Sequence, residues 1–183
     1  MTEPNQIPSE RVADDYDRLR RRVLWKLPTG LYAVGSRSGG RVNLMTASWV
    51  CQMATQPKLV GVGVEASALT CRLIDDGGVF AVSVFKRGDR ALVRRFVKPV
   101  EDREVSLDED GRGTIREVAV ASASTGAPIL VAAVAFLDCE RRHSYPMGSH
   151  TWFVGEVVDC GFGPDGEDED VLRMEDTRMG YGG

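Results

Sequence analysis

The sequence predicts a mainly β domain with minor helices, its antiparallel strands closed or nearly closed into a barrel. Three observations carry that prediction. Short apolar runs alternate with Gly- and Pro-containing breaks along most of the chain. Helical periodicity is confined to residues 9–24 and two shorter stretches. The strands are not interleaved with the regular long helices that a doubly wound parallel sheet requires. With 183 residues, 43% hydrophobic and 27% charged, the chain has the make-up of an ordinary globular domain. A chain of that size buries roughly 70% of its unfolded surface, enough for a core and a cleft.

In chain order, residues 9–24 form the clearest helix. Ser9 stands where a cap belongs, and Val12, Tyr16, Leu19 and Val23 recur at spacings that make one apolar stripe. The stretch KLPTG ends it. We read residues 1–22 as an N-terminal helical segment and 23–183 as the single domain that follows. LYAVGSR, RVNLMTASWVCQM and KLVGVGVEA, separated by SGG and TQP, read as three strands of a meander. SALTCRLIDD reads as a short helix capped by Ser67 and closed by Gly77 and Gly78. VFAVSVF is a fourth strand, and DRALVRRFVK a second short helix with Asp89 as its cap. Residues 99–117 read as a polar loop. APILVAAVAFLDCERRH and SHTWFVGEVVDCGF pair as a long hairpin across SYPMG, and the acidic GPDGEDED is a loop before the closing VLRMEDTRMGYGG.

Composition excludes several classes of function. The N-terminal stretch is acidic, proline-containing and without an apolar segment, so neither a signal peptide nor a membrane anchor is expected. The net charge of −4 and the acids near RLRRR and RRFVK argue against nucleic acid. Cys51, Cys71, Cys139 and Cys160 lack CxxC or CxxH spacing and sit in or beside apolar runs. They are read as reduced, buried thiols, with no metal site and a cytoplasmic location. No dinucleotide fingerprint follows GVGVEA, no phosphate-binding P-loop is present, and neither His143 nor His150 has a serine–acid frame.

Two stretches carry chemistry. SALT places hydroxyls at a helix start, where free N–H groups and the dipole favour an anion; the same residues also serve as plain helix punctuation. NLMTASW lines a strand with small hydroxyls, a methionine and a tryptophan, which suits either a half-wet sheet face or the edge of a planar ring.

The ordered combination VNLMTASWVCQMATQPKLVGVGVEASALTCRLIDDGGVFAVSVF resembles the flavin reductase-like, FMN-binding split-barrel family. That family has an N-x-M-T-A-S strand, a proline turn, an apolar strand, an S-x-x-T helix start, a Gly and an F-x-V-x-V strand. The likeness continues through FVKP, GAPIL, FLDCE and GSHTWFVGEVVD, over roughly residues 23–160. It implies a split β-barrel that pairs into a homodimer. It also implies FMN, with FAD as the alternative, and NADH or NADPH as hydride donor. The activity implied is flavin reduction, as in the reductase component that supplies a partner monooxygenase; the alternative is a flavin-binding electron carrier or redox sensor.

By position, the resemblance assigns the ring contacts to Asn43, Met45, Thr46, Ala47, Ser48 and Trp49. It assigns the phosphate to Ser67 and Thr70, with Phe85 and Lys86 bordering it, and the nicotinamide side of the cleft to His150 as the catalytic residue. Cys51 is given no redox role. The family segment reads G-D-H where this chain has Gly148, Ser149 and His150, so the acid beside the histidine is replaced. Tyr181 in the tail is a further flavin contact by the same resemblance.

Overall fold

The structure, a computed structural model, describes residues 10–177. The expected cap Ser9, the side chain of Val12 and Tyr181 lie outside the described residues. The first helix, α1, spans Glu10–Leu24. Asp17 on its charged face accepts ion pairs from Arg20 and Arg21, at 2.6 and 3.3 Å. Its apolar stripe does not reach the core: Tyr16, Leu19 and Val23 are more than half exposed, and among the described residues α1 has no extensive packing against another element.

Two hairpins follow. β1 (Tyr32–Ser38) and β2 (Arg41–Ala47) pair in register from Tyr32 opposite Ala47 to Ser38 opposite Arg41, across a turn where Gly39 takes φ +56°. β3 (Val50–Thr55) and β4 (Lys58–Glu65) pair across Gln56–Pro57, whose peptide bond is cis. Residues 41–53, expected as one strand, therefore form two, because the chain leaves the ladder at Ser48 and Trp49. Next come α2 (Leu69–Gly77), closed by the left-handed Gly78, and β5 (Val79–Val84). The expected helix 89–98 is shorter, with α3 spanning Arg90–Val93 after Asp89 and a single 3₁₀ turn at Arg94–Phe96.

The polar stretch 99–117, expected as loop, holds a 3₁₀ turn at Asp102–Glu104 and two short strands, β6 (Val105–Leu107) and β7 (Gly113–Ile115). With β8 (Val118–Ser122) and β9 (Pro128–Leu130) they form a four-stranded sheet in sequential order. The long hairpin is present as β10 (Ala135–Pro146) and β11 (His150–Phe162), and a final 3₁₀ turn covers Met174–Asp176.

The larger sheet has seven antiparallel strands in the order β2-β1-β5-β10-β11-β4-β3. The expected three-strand meander is thus two hairpins at opposite ends of one sheet. Since β2 and β3 are joined by only Ser48 and Trp49, the two ends must meet there, and the sheet curls into a barrel left open along that seam. Val34, Val60, Val62, Val64, Phe80, Val82 and Phe153 fill its interior, and α2 buries Cys71 and Ile74 against them. A second core lies against the four-stranded sheet. There Ala33, Leu44, Phe85, Phe96, Ile115, Val120 and Leu130 pack with Leu172 from the C-terminal segment. β1 is buried on both faces, Val34 toward one core and Ala33 toward the other, which explains its unbroken apolar run.

Candidate functional site

The barrel seam opens into a cavity of about 1480 Å³. One wall is β2 with the link after it, contributing Asn43, Met45, Thr46, Ala47, Ser48 and Trp49. One end is the start of α2, with Glu65, Ser67, Thr70 and Arg72. The facing wall is residues 96–99, and the rim comes from residues 24–30, Ser149, His150 and the segment around Arg173. Eight of the sequence-predicted site residues besides His150 line this cavity, and they divide by what their side chains already do.

Asn43 is buried and doubly engaged. Its Nδ2 donates to Thr70 Oγ1 at 2.7 Å, and its Oδ1 accepts from the Val100 N–H at 2.8 Å. Thr46 Oγ1 donates to the Val93 carbonyl at 2.7 Å. These buried groups are satisfied by the protein, so they shape the wall and leave ligand contact to the backbone, Ser48 and the faces of Met45 and Trp49.

At the end of the cavity, the expected cap is corrected. Ala68, with extended backbone angles, holds the N-cap position of α2, and no side chain caps the helix. Ser67 is exposed and donates instead to Glu65 Oε1 at 3.0 Å. The N–H groups of the first turn of α2 therefore open toward the cavity without a capping oxygen. Lys26, Arg41, Arg72, Lys98 and Arg173 line the same cavity against two acids, Glu65 and Glu175, a surplus of positive charge. Arg41 and Arg173 are in part matched by Asp102 and Glu175, at 3.8 and 3.5 Å.

His150, the first residue of β11, stands opposite Glu65 on β4. Its Nδ1 lies 3.0 Å from Ser149 Oγ, and its ring is 4.6 Å from that of Trp49 at 49°. Trp49 in turn rests over Gly63, where an added Cβ would come within 3.1 Å of it, and Trp152 covers Gly61 at 2.7 Å. The alternation G-V-G-V in β4 thus sends its valines into the barrel and makes room outside for two indoles. Tyr32 reaches the cavity from β1, and burial first, then nearby Cys51, pushes its hydroxyl up from the usual tyrosine value, so it remains a donor.

Phe85 and Lys86 do not line the cavity. Phe85 is fully buried in the second core, and Lys86 pairs with Asp165 of the acidic loop, while its backbone bridges to Val171. The thiols are free but divided, Cys71 and Cys139 buried and Cys51 and Cys160 exposed, where all four were expected inside. Burial holds the Cys139 thiol up at about 12. Sequence reasoning passed over Trp25, Leu27 and Arg173, which reach the rim from segments with no motif, and Tyr32 and Lys98, which reach it from β1 and from the FVKP stretch. Arg72, two residues beyond SALT, and Lys98, inside FVKP, stood next to a local signal.

Comparison with known proteins follows this geometry. The model of the "Flavin reductase like domain" family matches residues 24–182. An NADH-dependent FAD reductase of Streptomyces globisporus is 32% identical over 156 residues, covering 85% of this chain and 82% of the relative. An NADH-dependent FMN reductase of Streptomyces nodosus subsp. asukaensis is 31% identical over 137 residues, 75% of this chain and 70% of the relative. Among solved structures, the S. globisporus NADH:FAD oxidoreductase SgcE6 superposes with a TM-score of 0.73 at 27% identity, covering 93% of both chains. The flavin reductase PheA2 superposes at 0.69 and 26% identity, covering 86% of this chain and 92% of that one.

Proposed function

Since this chain belongs to the flavin reductase-like domain family, we propose that it is a flavin reductase that uses a reduced nicotinamide nucleotide to reduce FMN or FAD. The observation that carries the reading is the uncapped start of α2 opening into a cavity with surplus positive charge beside a flat wall of Met45, Ala47 and Trp49. Free N–H groups at a helix start favour a phosphate, and the neighbouring Arg72 and Lys98 add to that preference. The wall offers backbone donors and apolar faces to a planar ring. The residues therefore fit a flavin nucleotide.

The volume supports two ligands. A pocket for one small molecule is roughly 300–1000 Å³, and this cavity is larger. When bound, the flavin supplies the hydride-accepting chemistry, and the chain need only align two planar partners and keep water out. In this reading Trp49 and His150 form the face against which the nicotinamide is held. Ser149 Oγ, at the position where the resemblance expects an acid, holds the His150 ring through Nδ1. No group in the cavity is needed as a strong general acid or base.

Further parts of the reading rest on other features. The exposed stripe of α1 and the exposed edge strand β3 support a homodimer. Four free thiols, two of them exposed, support a reducing, cytoplasmic setting. No helix among the described residues is long and apolar enough to cross a membrane. A monooxygenase that consumes the reduced flavin is the proposed partner.

The test is anaerobic addition of NADH, and separately NADPH, to the protein with FMN or FAD. The flavin band bleaches faster than in free solution, and His150→Ala slows bleaching more than it weakens flavin binding. If neither nucleotide bleaches the band, the chain is a flavin-binding carrier and not a reductase.

A further inference from the structure

The turn between β7 and β8 is made by Arg116 and Glu117, with φ of +52° and +62°. A two-residue hairpin loop with both residues left-handed is the geometry that Asn-Gly or Asp-Gly normally supplies. Two bulky residues are strained there, and the arginine's contacts show what the strained turn holds in place. Nε of Arg116 donates to Glu104 Oε2 at 2.9 Å, and Nη2 stands 2.9 Å from the same oxygen. The remaining donors converge on one short segment: Nη1 reaches the carbonyls of Arg95 and Lys98, the latter at 3.0 Å, and Nη2 the carbonyl of Pro99 at 2.7 Å. The Arg116 N–H also donates to the Glu104 carbonyl at 2.8 Å.

That segment is the cavity wall facing β2. It begins inside the single 3₁₀ turn Arg94–Phe96 and runs on past it, and Arg116 is the group that collects the carbonyls of Arg95, Lys98 and Pro99. Immediately beyond it, the Val100 N–H donates to Asn43, which donates to Thr70 at the start of α2. The links run without a gap from Glu104 through Arg116 and the 95–99 wall to the end of the cavity where α2 begins. Lys98, whose carbonyl is held from behind, lines the cavity in front.

We propose that Arg116, braced by Glu104, is a positioning residue for flavin binding: it holds the 95–99 wall so that Lys98 meets the flavin phosphate. This rests on the flavin-reductase reading, and it adds to that reading a residue that touches neither ligand. A guanidinium is suited to the task because its planar fork serves a carboxylate and three carbonyls at once, which a lysine cannot do.

The test uses Arg116→Gly, which removes the guanidinium while accepting the left-handed backbone, together with Arg116→Lys, Lys98→Ala and the double variant R116G/K98A. Dissociation constants for FMN and riboflavin are read from flavin fluorescence quenching, and urea unfolding checks the fold. R116G and K98A should each weaken FMN by about tenfold, with little change for riboflavin, which has no phosphate. The double variant should be hardly weaker than K98A alone, because both remove one interaction. Arg116→Lys should recover little of the loss, and it carries the comparison should R116G fail to fold. The inference is overturned if the Arg116 variants bind FMN like the wild type, lose FMN and riboflavin equally, or add in full to K98A. A wild-type chain that binds no FMN overturns the inference, and one that binds neither FMN nor FAD overturns the functional reading with it.

Discussion

Asn43 on β2 donates to Thr70 at the start of α2 at 2.7 Å, and both side chains are buried. One amide thereby ties the wall of the cavity to its end, and its other atom fixes Val100 and the facing wall at 2.8 Å. Three separate segments owe their spacing to a single side chain.

Asn43→Ala leaves the Val100 N–H and the Thr70 hydroxyl without that partner in a buried place. Unsatisfied buried groups cost about 1–3 kcal/mol each, so urea unfolding should show a loss of about 2–4 kcal/mol. Asn43→Asp keeps the acceptor for Val100, and Thr70 can turn to donate, so its stability should lie nearer the wild type while FMN binding weakens through the added charge. A loss below about 0.5 kcal/mol for Asn43→Ala would show that the link is incidental.

Glu65 is the acid closest to the proposed phosphate end, and it holds the Ser67 hydroxyl. Glu65→Gln removes a negative charge there, while its amide oxygen can still accept from the Ser67 hydroxyl. Two unit charges about 4 Å apart in water differ by about 1 kcal/mol, so FMN should bind roughly fivefold more tightly, and riboflavin should not change. High salt should shrink the difference. Equal gains for the two flavins would place the phosphate elsewhere.

Asp138 on β10 is fully buried and accepts from the Thr125 N–H and Thr125 Oγ1, both at 2.7 Å. Desolvation dominates over those bonds, and with Asp159 opposite on β11 it raises the carboxyl above the ordinary aspartate value. A group raised on folding contributes stability that is whole below its unfolded pKa and is lost as pH rises through the folded one. Asp138→Asn should therefore gain on the wild type in urea unfolding as pH rises above the ordinary aspartate value of 3.8, and a difference that does not change with pH would refute the assignment.

How much of this was legible in the sequence depended on how far each feature reaches along the chain. α1, the β10–β11 hairpin and the apolar strand β5 were readable because their signals are local. The break at Ser48 and Trp49 was not, because both residues suit a strand and only the curling of the whole sheet pulls them out of the ladder. The strands β6 and β7 hid in a charged stretch, since three-residue strands carry no periodicity. Ser67 looked like a cap, yet the helix begins one residue later and Glu65 takes its hydroxyl. Phe85 and Lys86 followed the correct strand but turned to the core and to Asp165, and a strand's alternation alone does not say which face meets a ligand. Asn43 was singled out through resemblance as a ring contact, while its link between three segments depends on partners 27 and 57 residues away and has no local signal.

The apolar stripe of α1 supplies the remaining prediction. Tyr16, Leu19 and Val23 are 57%, 52% and 61% exposed, and the rim residues Trp25 and Leu27 continue the apolar surface at 51% and 64%. An isolated helix of 15 residues is marginal in water, so this one needs a surface to pack on, and among the described residues no element packs extensively against it. A second copy can supply it, with the helix running on into the cavity rim at residues 24–30 and so coupling assembly to the site. Fully covering such a side chain is worth about 1.5–3 kcal/mol, and a two-fold contact covers the stripe of both copies, which sets this term against the cost of association. Light scattering should accordingly give twice the chain mass of 20.0 kDa. Leu19→Lys with Val23→Lys puts two charges into the stripe without disturbing either core, and should shift the protein to monomer with its circular dichroism retained and its flavin affinity reduced. A wild type that stays monomeric with flavin bound would leave the stripe without a second copy to cover it and would sink the homodimer.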